Sequence, residues 1–244
     1  FLDNVIDMNN YPLPEIESIA KGNRRIGLGV MGLAEFLAVL GIQYDSEKAI
    51  KLSNKIGSFI EKNKEEYEEK LAQERGVFPN FKNSIFDDSK SNRYYRGKPH
   101  KPRNCATTTI APTGTISLAA GLKAGGIEPF FAIAYERLQA EGIDQRREGK
   151  EVDYKYRHFE VVREFEEVAE ENDWFGFSRE TLLEKINENK GSVQNIQKFE
   201  KIPENIRKAF MTASDINWRW HINHQAIWQK YTDNAVSKTI NMPK

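Results

Sequence analysis

Residues 105–117 read CATTTIAPTGTIS, and no single kind of regular structure accommodates them. Thr107–Ile110 is rich in β-branched side chains and suits a strand over CATTTIAP. Pro112 ends that strand, because its nitrogen donates nothing and its φ is fixed. Gly114 frees the backbone at a turn over Thr113–Thr115, and Ile116 to Ala124 opens a helix. A strand that passes directly into a helix, among segments that are mostly helical, predicts an α/β chain, helix-rich with short strands. The turn also carries chemistry. Thr113, Thr115 and Ser117 set hydroxyls beside the first free N–H groups of a helix, donors that favour an anion together with the helix dipole. The Gly-Lys-Ser/Thr of a Walker A loop is missing, so this is not an NTPase phosphate loop. From spacing alone, a capped helix without a ligand is an equal reading.

Helical periodicity governs much of the remaining chain. Phe1 to about Met8 reads as the end of a helix, and Tyr11-Pro-Leu-Pro14 as a rigid connection before a short helix over Glu15–Lys21. A helix over Leu33–Leu40 stops at Gly41. A long one runs from about Glu47 to Glu74, where Ile50, Ile56, Phe59, Ile60, Tyr67 and Leu71 recur among Lys and Glu. The Glu61–Glu74 stripe reads as its solvated face. Residues 84–102 form a polar loop with Arg93, Tyr94, Tyr95, Arg96, Lys98, His100 and Lys101, suited to exposure or to gripping a phosphate or single-stranded nucleic acid. Gly125-Gly126 leads into the strand-like IEPFFAIAYERL. Residues 138–157 are charged without a core pattern and read as an exposed insertion loop or hairpin tip. Helices are expected over about 158–172, 178–187, 203–211 and 215–236, and a closing strand over Val236–Ile240.

A second glycine pattern lies at residues 26–37, IGLGVMGLAEFL. Gly27, Gly29 and Gly32 fit G-x-G-x-x-G, the dinucleotide fingerprint, which needs a strand before it, a helix after it and an acid about 20 residues on. The helix is there. A convincing strand is not, and the region where the acid belongs is the lysine-bearing LSNK. The glycines are better explained by close backbone packing or an unusual dihedral.

Totals narrow the partners. Lys+Arg and Asp+Glu are both 36, so no basic excess points to nucleic acid or an anionic membrane. Cys105 is the single cysteine, which excludes an internal disulfide and fits a reducing, cytoplasmic setting. Its bland reading is a small hydrophobe near a strand start. His221 and His224 sit one turn apart and would need a third ligand to share a metal; Trp218, Trp220 and Trp228 around them favour packing. Asp233-Asn234 and Lys238-Thr239 read as structural polar contacts.

FLDNVIDMNNYPLPEI, NRRIGLGVMGLAEFLAVLGIQYDSEKA, ERGVFPNF, RNCATTTIAPTGTISLAAG, GIEPFFAIAYER and YTDNAVSKTINMP, in that order, resemble the C-terminal part of the catalytic barrel of ribonucleotide reductase large subunits. The likeness is strongest to the adenosylcobalamin-dependent class II enzymes and weakest over residues 138–200. It implies a single domain over 1–244, cut from a longer polypeptide and forming part of a ten-stranded α/β barrel. It implies a radical reaction that replaces the ribose 2′-OH with hydrogen. Carried over residue by residue, Pro112, Thr113, Gly114, Thr115, Ile116 and Ser117 become a substrate-phosphate loop, and the LGVMG segment becomes scaffold. The implied partners are a ribonucleotide substrate, the upstream remainder of the barrel and a second copy of the full-length chain; membrane and nucleic acid are not among them. The implied cofactor is adenosylcobalamin. The family's Asn-x-Cys-x-Glu motif with the radical cysteine is not in this sequence, so the chain by itself is expected to be inactive. The alternative is a non-catalytic domain of the same fold that binds a nucleotide or a partner chain.

Overall fold

The computed structural model describes all residues except 98–99, 154–155 and 243–244. The chain gathers into two compact units. The first consists of Phe1–Gly29, Leu52–Ala111 and Gln225–Ser237; the second of Val30–Lys51, Pro112–His224 and the chain from Lys238 on.

The first unit is built on short parallel backbone pairings. Leu28 bridges Thr108 and Ile110 bridges Val236, both in parallel. Ile26 donates to Ala106 O at 2.9 Å, Asn234 to Thr108 O at 2.9 Å and Ser237 to Ile110 O at 2.8 Å. The strand expected over CATTTIAP is therefore paired on both sides, at isolated ladder positions. The glycine pattern belongs to this pairing. A Cβ on Gly29 would lie 2.1 Å from Thr109 O, and one on Gly27 would lie 2.7 Å from Thr109 Cγ2. Neither leaves room for a side chain, and both glycines serve close backbone approach. The extended segment includes the glycines themselves and does not precede them, which is why no separate strand was legible before the motif.

Helices α1 (Leu2–Met8) and α2 (Pro14–Asn23) precede that pairing. Pro14 takes the first turn of α2, where its missing N–H costs nothing. Arg24 ends α2 in the left-handed region at φ 51°. It is held there by Asp3 at 2.7 Å and Asp7 at 2.8 Å. Asp3 is buried and also meets Arg103 at 3.3 Å and Asn104 Nδ2 at 3.1 Å. Burial pushes its carboxyl pKa up, but the Arg24 bond and charge outweigh that and hold it low.

Helix α3 (Leu33–Val39) opens the second unit, with Gly32 as its N-cap at φ 77°. The long helix α4 (Glu47–Arg75) follows. After α5 (Gly114–Ala119), strand β1 (Ala134–Leu138) pairs antiparallel with β2 (Arg157–Val161), from Ala134 against Val161 to Leu138 against Arg157. Helix α6 (Ala140–Arg147) lies between them, so the segment 138–157, read as a loop or hairpin tip, spans the end of a hairpin and contains a helix; residues 154–155 of it lie outside the described chain. The helix expected over 158–172 divides into β2 and α7 (Arg163–Glu171). RHFEV satisfies either period over so short a run, and pairing with AYERL decides it. Helices α8 (Arg179–Glu188), α9 (Glu204–Ala209) and α10 (Trp218–Gln229) complete the order. Ser178 caps α8 by accepting from Thr181 N.

Buried Phe130, Ile133, Phe165, Leu182, Leu183, Ile186, Phe199 and Phe210 form the core of the second unit. Phe210 lies edge-on to Phe165 at 5.3 Å and stacks on Phe130 at 6.1 Å. Ala34 and Ala38 bring α3 against this core. In place of a helix to 236, α10 stops at Gln229, because Asp233 and Asn234 are drawn into the parallel pairing. Asp233 Oδ2 accepts from Thr107 N at 2.9 Å and Thr107 Oγ1 at 2.7 Å, and Asn234 Nδ2 donates to Thr108 O at 2.9 Å. Among the described residues, no helix is long and apolar enough to cross a membrane.

Candidate functional site

The segment Pro112–Ser117 lies in the second unit. Thr113 adopts the left-handed conformation, φ 53° and ψ 19°, and α5 starts at Gly114. That conformation is uncommon for a β-branched residue, and contacts of its own side chain hold it. Gly126 N donates to Thr113 Oγ1 at 2.6 Å, and Thr113 Oγ1 lies 2.9 Å from Ser117 Oγ. Ser117 Oγ in turn donates to Met31 Sδ at 3.6 Å. Each hydroxyl has one proton, so the order of donation is set: Gly126 N–H to Thr113, Thr113 to Ser117, Ser117 to Met31. Thr113 O closes the turn by accepting from Ser117 N at 2.8 Å.

This corrects one expectation. The Thr113 and Ser117 hydroxyls are not set out beside the free donors; they are turned inward and fix the turn. Ser117 is buried, whereas Pro112, Gly114, Thr115 and Ile116 are exposed. The amides of Gly114, Thr115 and Ile116 have no acceptor among the described residues, so the start of α5 presents unpaired N–H groups to the outside. Together these amides make a small donor cluster suited to oxygen atoms of an anion.

Gly125 and Gly126 hold the loop from behind. A Cβ on Gly125 would stand 2.4 Å from Pro112 O, and Gly126 at φ 51° turns its N–H onto Thr113. The glycine pair stood out in the sequence, but its contact with Pro112 and Thr113 did not. Met31, from the middle of the other glycine pattern, is a further supporting residue that sequence reasoning missed.

The remaining candidates fall elsewhere. His221 Nε2 lies 3.3 Å from Ala213 O, and its Nδ1 accepts from Lys238 Nζ at 2.9 Å. His224 Nε2 donates to Tyr44 O at 2.9 Å, with the two rings 4.1 Å apart. Both rings are fully buried, and burial lowers their pKa values, that of His224 to about 4. They are neutral packing histidines bound to different partners. Lys238, its side chain fully buried, also bonds Glu128 Oε2 at 2.5 Å, as its reading as a structural contact requires. In the first unit, Arg93 stacks on Tyr94 at 4.9 Å and His100 pairs with Glu69 at 3.0 Å; Lys98 lies outside the described residues. Glu68 breaks the solvated stripe, being buried where it accepts from Asn104 N at 2.8 Å. Burial pushes the Cys105 thiol pKa up, which disfavours a thiolate there.

Comparison with known proteins places these features in context. Residues 1–244 match the family described as ribonucleotide reductase, barrel domain. The chain is 41% identical over its whole length to a vitamin B12-dependent ribonucleoside-diphosphate reductase of Mycobacterium tuberculosis, covering 30% of that protein. It is 40% identical over 242 residues to the protein of the same name in Thermoplasma acidophilum, covering 28% of it. Among solved structures, an Actinobacillus ureae class Id ribonucleotide reductase alpha subunit shares the fold with a TM-score of 0.68 at 24% identity, over 95% of this chain and 36% of that one. The chain thus spans about 30% of the length of the curated relatives it matches.

Proposed function

Starting from the fact that this chain belongs to the ribonucleotide reductase barrel-domain family, we propose that it supplies the substrate-phosphate loop of a ribonucleoside-diphosphate reductase. The observation that carries the reading is the donor cluster of Gly114, Thr115 and Ile116, unpaired and exposed on a loop that Thr113 and Ser117 hold rigid from inside. The free N–H groups suit the terminal phosphate of a nucleotide, whose charge the α5 amides meet without a basic side chain; the names of the relatives support a diphosphate. Fixing the phosphate orients the ribose, so binding energy far from the reacting carbon serves positioning at it. The net change replaces the 2′-OH with hydrogen. Two electrons and two protons come from a dithiol that becomes a disulfide, and the hydroxyl leaves as water. The Asn-x-Cys-x-Glu motif is not in this sequence, whose one cysteine, Cys105, follows Asn104 directly, and the reading assigns the reactive thiol to the full-length protein outside this chain.

The same reading includes a ten-stranded barrel completed by the upstream part of the polypeptide, a homodimer of the full-length protein, and a reducing cytoplasmic setting that the single cysteine supports. The names of the M. tuberculosis and T. acidophilum relatives support dependence on adenosylcobalamin. The histidines of this chain do not fit as cobalt ligands. His221 and His224 are buried against Ala213 and Tyr44, His100 pairs with Glu69, and His158 lies 2.6 Å from Gln139 Nε2. These histidines therefore supply no cobalt ligand, and none of the steps above is drawn through cobalamin.

The test is turnover by the full-length protein with a ribonucleoside diphosphate, adenosylcobalamin and a dithiol. The expected result is the 2′-deoxyribonucleoside diphosphate, formed only with cobalamin present. No product, from protein that binds the nucleotide, would reject the activity.

A further inference from the structure

Glu35 is an unusual residue for the inner face of a helix. It belongs to α3, is 4% exposed, and has no basic partner among the described residues. Its Oε1 accepts from both Lys123 N and Ala124 N, each at 2.8 Å. Its Oε2 is buried with no hydrogen-bond partner among the described residues. Burying such a group without a charge partner and with one oxygen unbonded is costly, and it calls for an explanation.

Those contacts lead in one direction. Lys123 and Ala124 directly precede Gly125, which sits against Pro112 O so closely that a Cβ would fall 2.4 Å from it. Next comes Gly126, whose N–H grips Thr113 Oγ1 at 2.6 Å and whose carbonyl accepts from Leu33 N at 3.4 Å. The turn over 122–126 is thus tied to α3 at both of its ends, by Glu35 and by Leu33, and its middle presses on the loop that carries the free amides. Burial pushes the Glu35 carboxyl pKa up. Oε1 is already occupied by two donors, so Oε2 is where a proton would sit, and the grip on Lys123 and Ala124 is the same in either state.

We propose that Glu35 is a positioning residue for substrate binding: through Oε1 it fixes the Lys123–Gly126 turn, and through that turn it aims the Gly114–Ile116 amides at the substrate phosphate. The idea rests on the phosphate-loop reading above and adds to it a residue that touches neither substrate nor loop. What matters in it is the place of one acceptor oxygen, and its charge does not enter.

That distinction sets the experiment, carried out on the full-length reductase. Glu35→Gln keeps an acceptor at the Oε1 position without the charge, and Glu35→Asp keeps the charge but withdraws the acceptor by one methylene. Thr115→Glu, which sets a carboxylate among the free amides, reports on the loop itself. The readouts are KM and kcat for a ribonucleoside diphosphate, and Kd for the diphosphate and the matching nucleoside. Glu35→Asp is expected to raise the diphosphate Kd and lower kcat/KM by about tenfold to a hundredfold, the scale of a small misplacement of binding groups, with nucleoside affinity little changed. Glu35→Gln is expected to restore kcat/KM to within about threefold of the parent. If Glu35→Asp binds the diphosphate like the parent while Thr115→Glu does not, Glu35 has no positioning role and the phosphate loop stands. If Glu35→Gln is as impaired as Glu35→Asp, charge governs the effect and the proposal fails. If Thr115→Glu leaves diphosphate binding unchanged, the loop reading falls and the role of Glu35 falls with it.

Discussion

Thr115→Glu separates binding at the loop from folding of the loop, because the two respond to the new charge with opposite signs. Thr115 is exposed in the first turn of α5, and its side chain makes no hydrogen bond with a described residue. A carboxylate there lies beside the unpaired amides of Gly114–Ile116. For the fold this is favourable, by about 0.3–1 kcal/mol for a full helix and toward the lower figure for one of six residues. For an incoming phosphate it is repulsive. Two unit charges about 4 Å apart repel by roughly 1 kcal/mol in bulk water and about 4 kcal/mol at the effective dielectric near a protein surface. The expected loss of diphosphate affinity is therefore roughly fivefold to several hundredfold. Equilibrium binding to the full-length protein, read beside its thermal midpoint, is the assay. The midpoint should hold or rise slightly while affinity falls, and the loss should shrink as salt rises. The corresponding nucleoside, which carries no phosphate, should bind as before. Diphosphate affinity equal to the parent's, in a variant of unchanged midpoint, would refute the assignment of those amides.

Other consequences of the structure can be checked separately. Gly29→Ala would set a Cβ 2.1 Å from Thr109 O; the parallel pairing must then part, at a cost of about 1–3 kcal/mol or more, seen as a lower denaturation midpoint. His224 has its pKa depressed to about 4 by burial, so its neutral form is favoured in the fold. Its contribution is complete above about pH 6.5 and is lost as pH falls through about 4, on the order of 3 kcal/mol in all, and His224→Gln should flatten stability across that window. Asp233 has its pKa lowered to about 2: burial opposes this, but the Lys64 and Thr107 hydrogen bonds outweigh it. Its contribution is present above about pH 4 and is lost as pH falls toward 2. The carboxylate is a third exposed, so solvent screening leaves about 1 kcal/mol, and Asp233→Asn should remove that acid dependence.

Much of this was legible in the sequence where the signals are local. Pro14, Pro112 and the glycines at 32, 41 and 76 punctuate helices that begin and end close to where composition puts them. The phosphate-loop candidate was legible too, as a strand giving way to a helix around Pro112 and Gly114. Non-local choices were hidden. The five residues of β2 suit a helix until Ala134–Leu138 pairs with them, and the end of α10 is set by Asp233 and Asn234 finding Thr107 and Thr108 far back in the chain. Within the loop, the left-handed Thr113 decides which hydroxyls point inward, and no spacing rule conveys a positive φ at a threonine. Nothing in the sequence singles out Glu35, because its partners are backbone amides that leave no mark in composition.

The most direct measurement is the structure of the full-length protein with a ribonucleoside diphosphate bound. The account predicts terminal phosphate oxygens about 2.7–3.1 Å from the amide nitrogens of Gly114, Thr115 and Ile116, with the Thr113 and Ser117 hydroxyls still bonded to each other. A phosphate bound elsewhere, with those amides facing water or capped by another part of the protein, would contradict it.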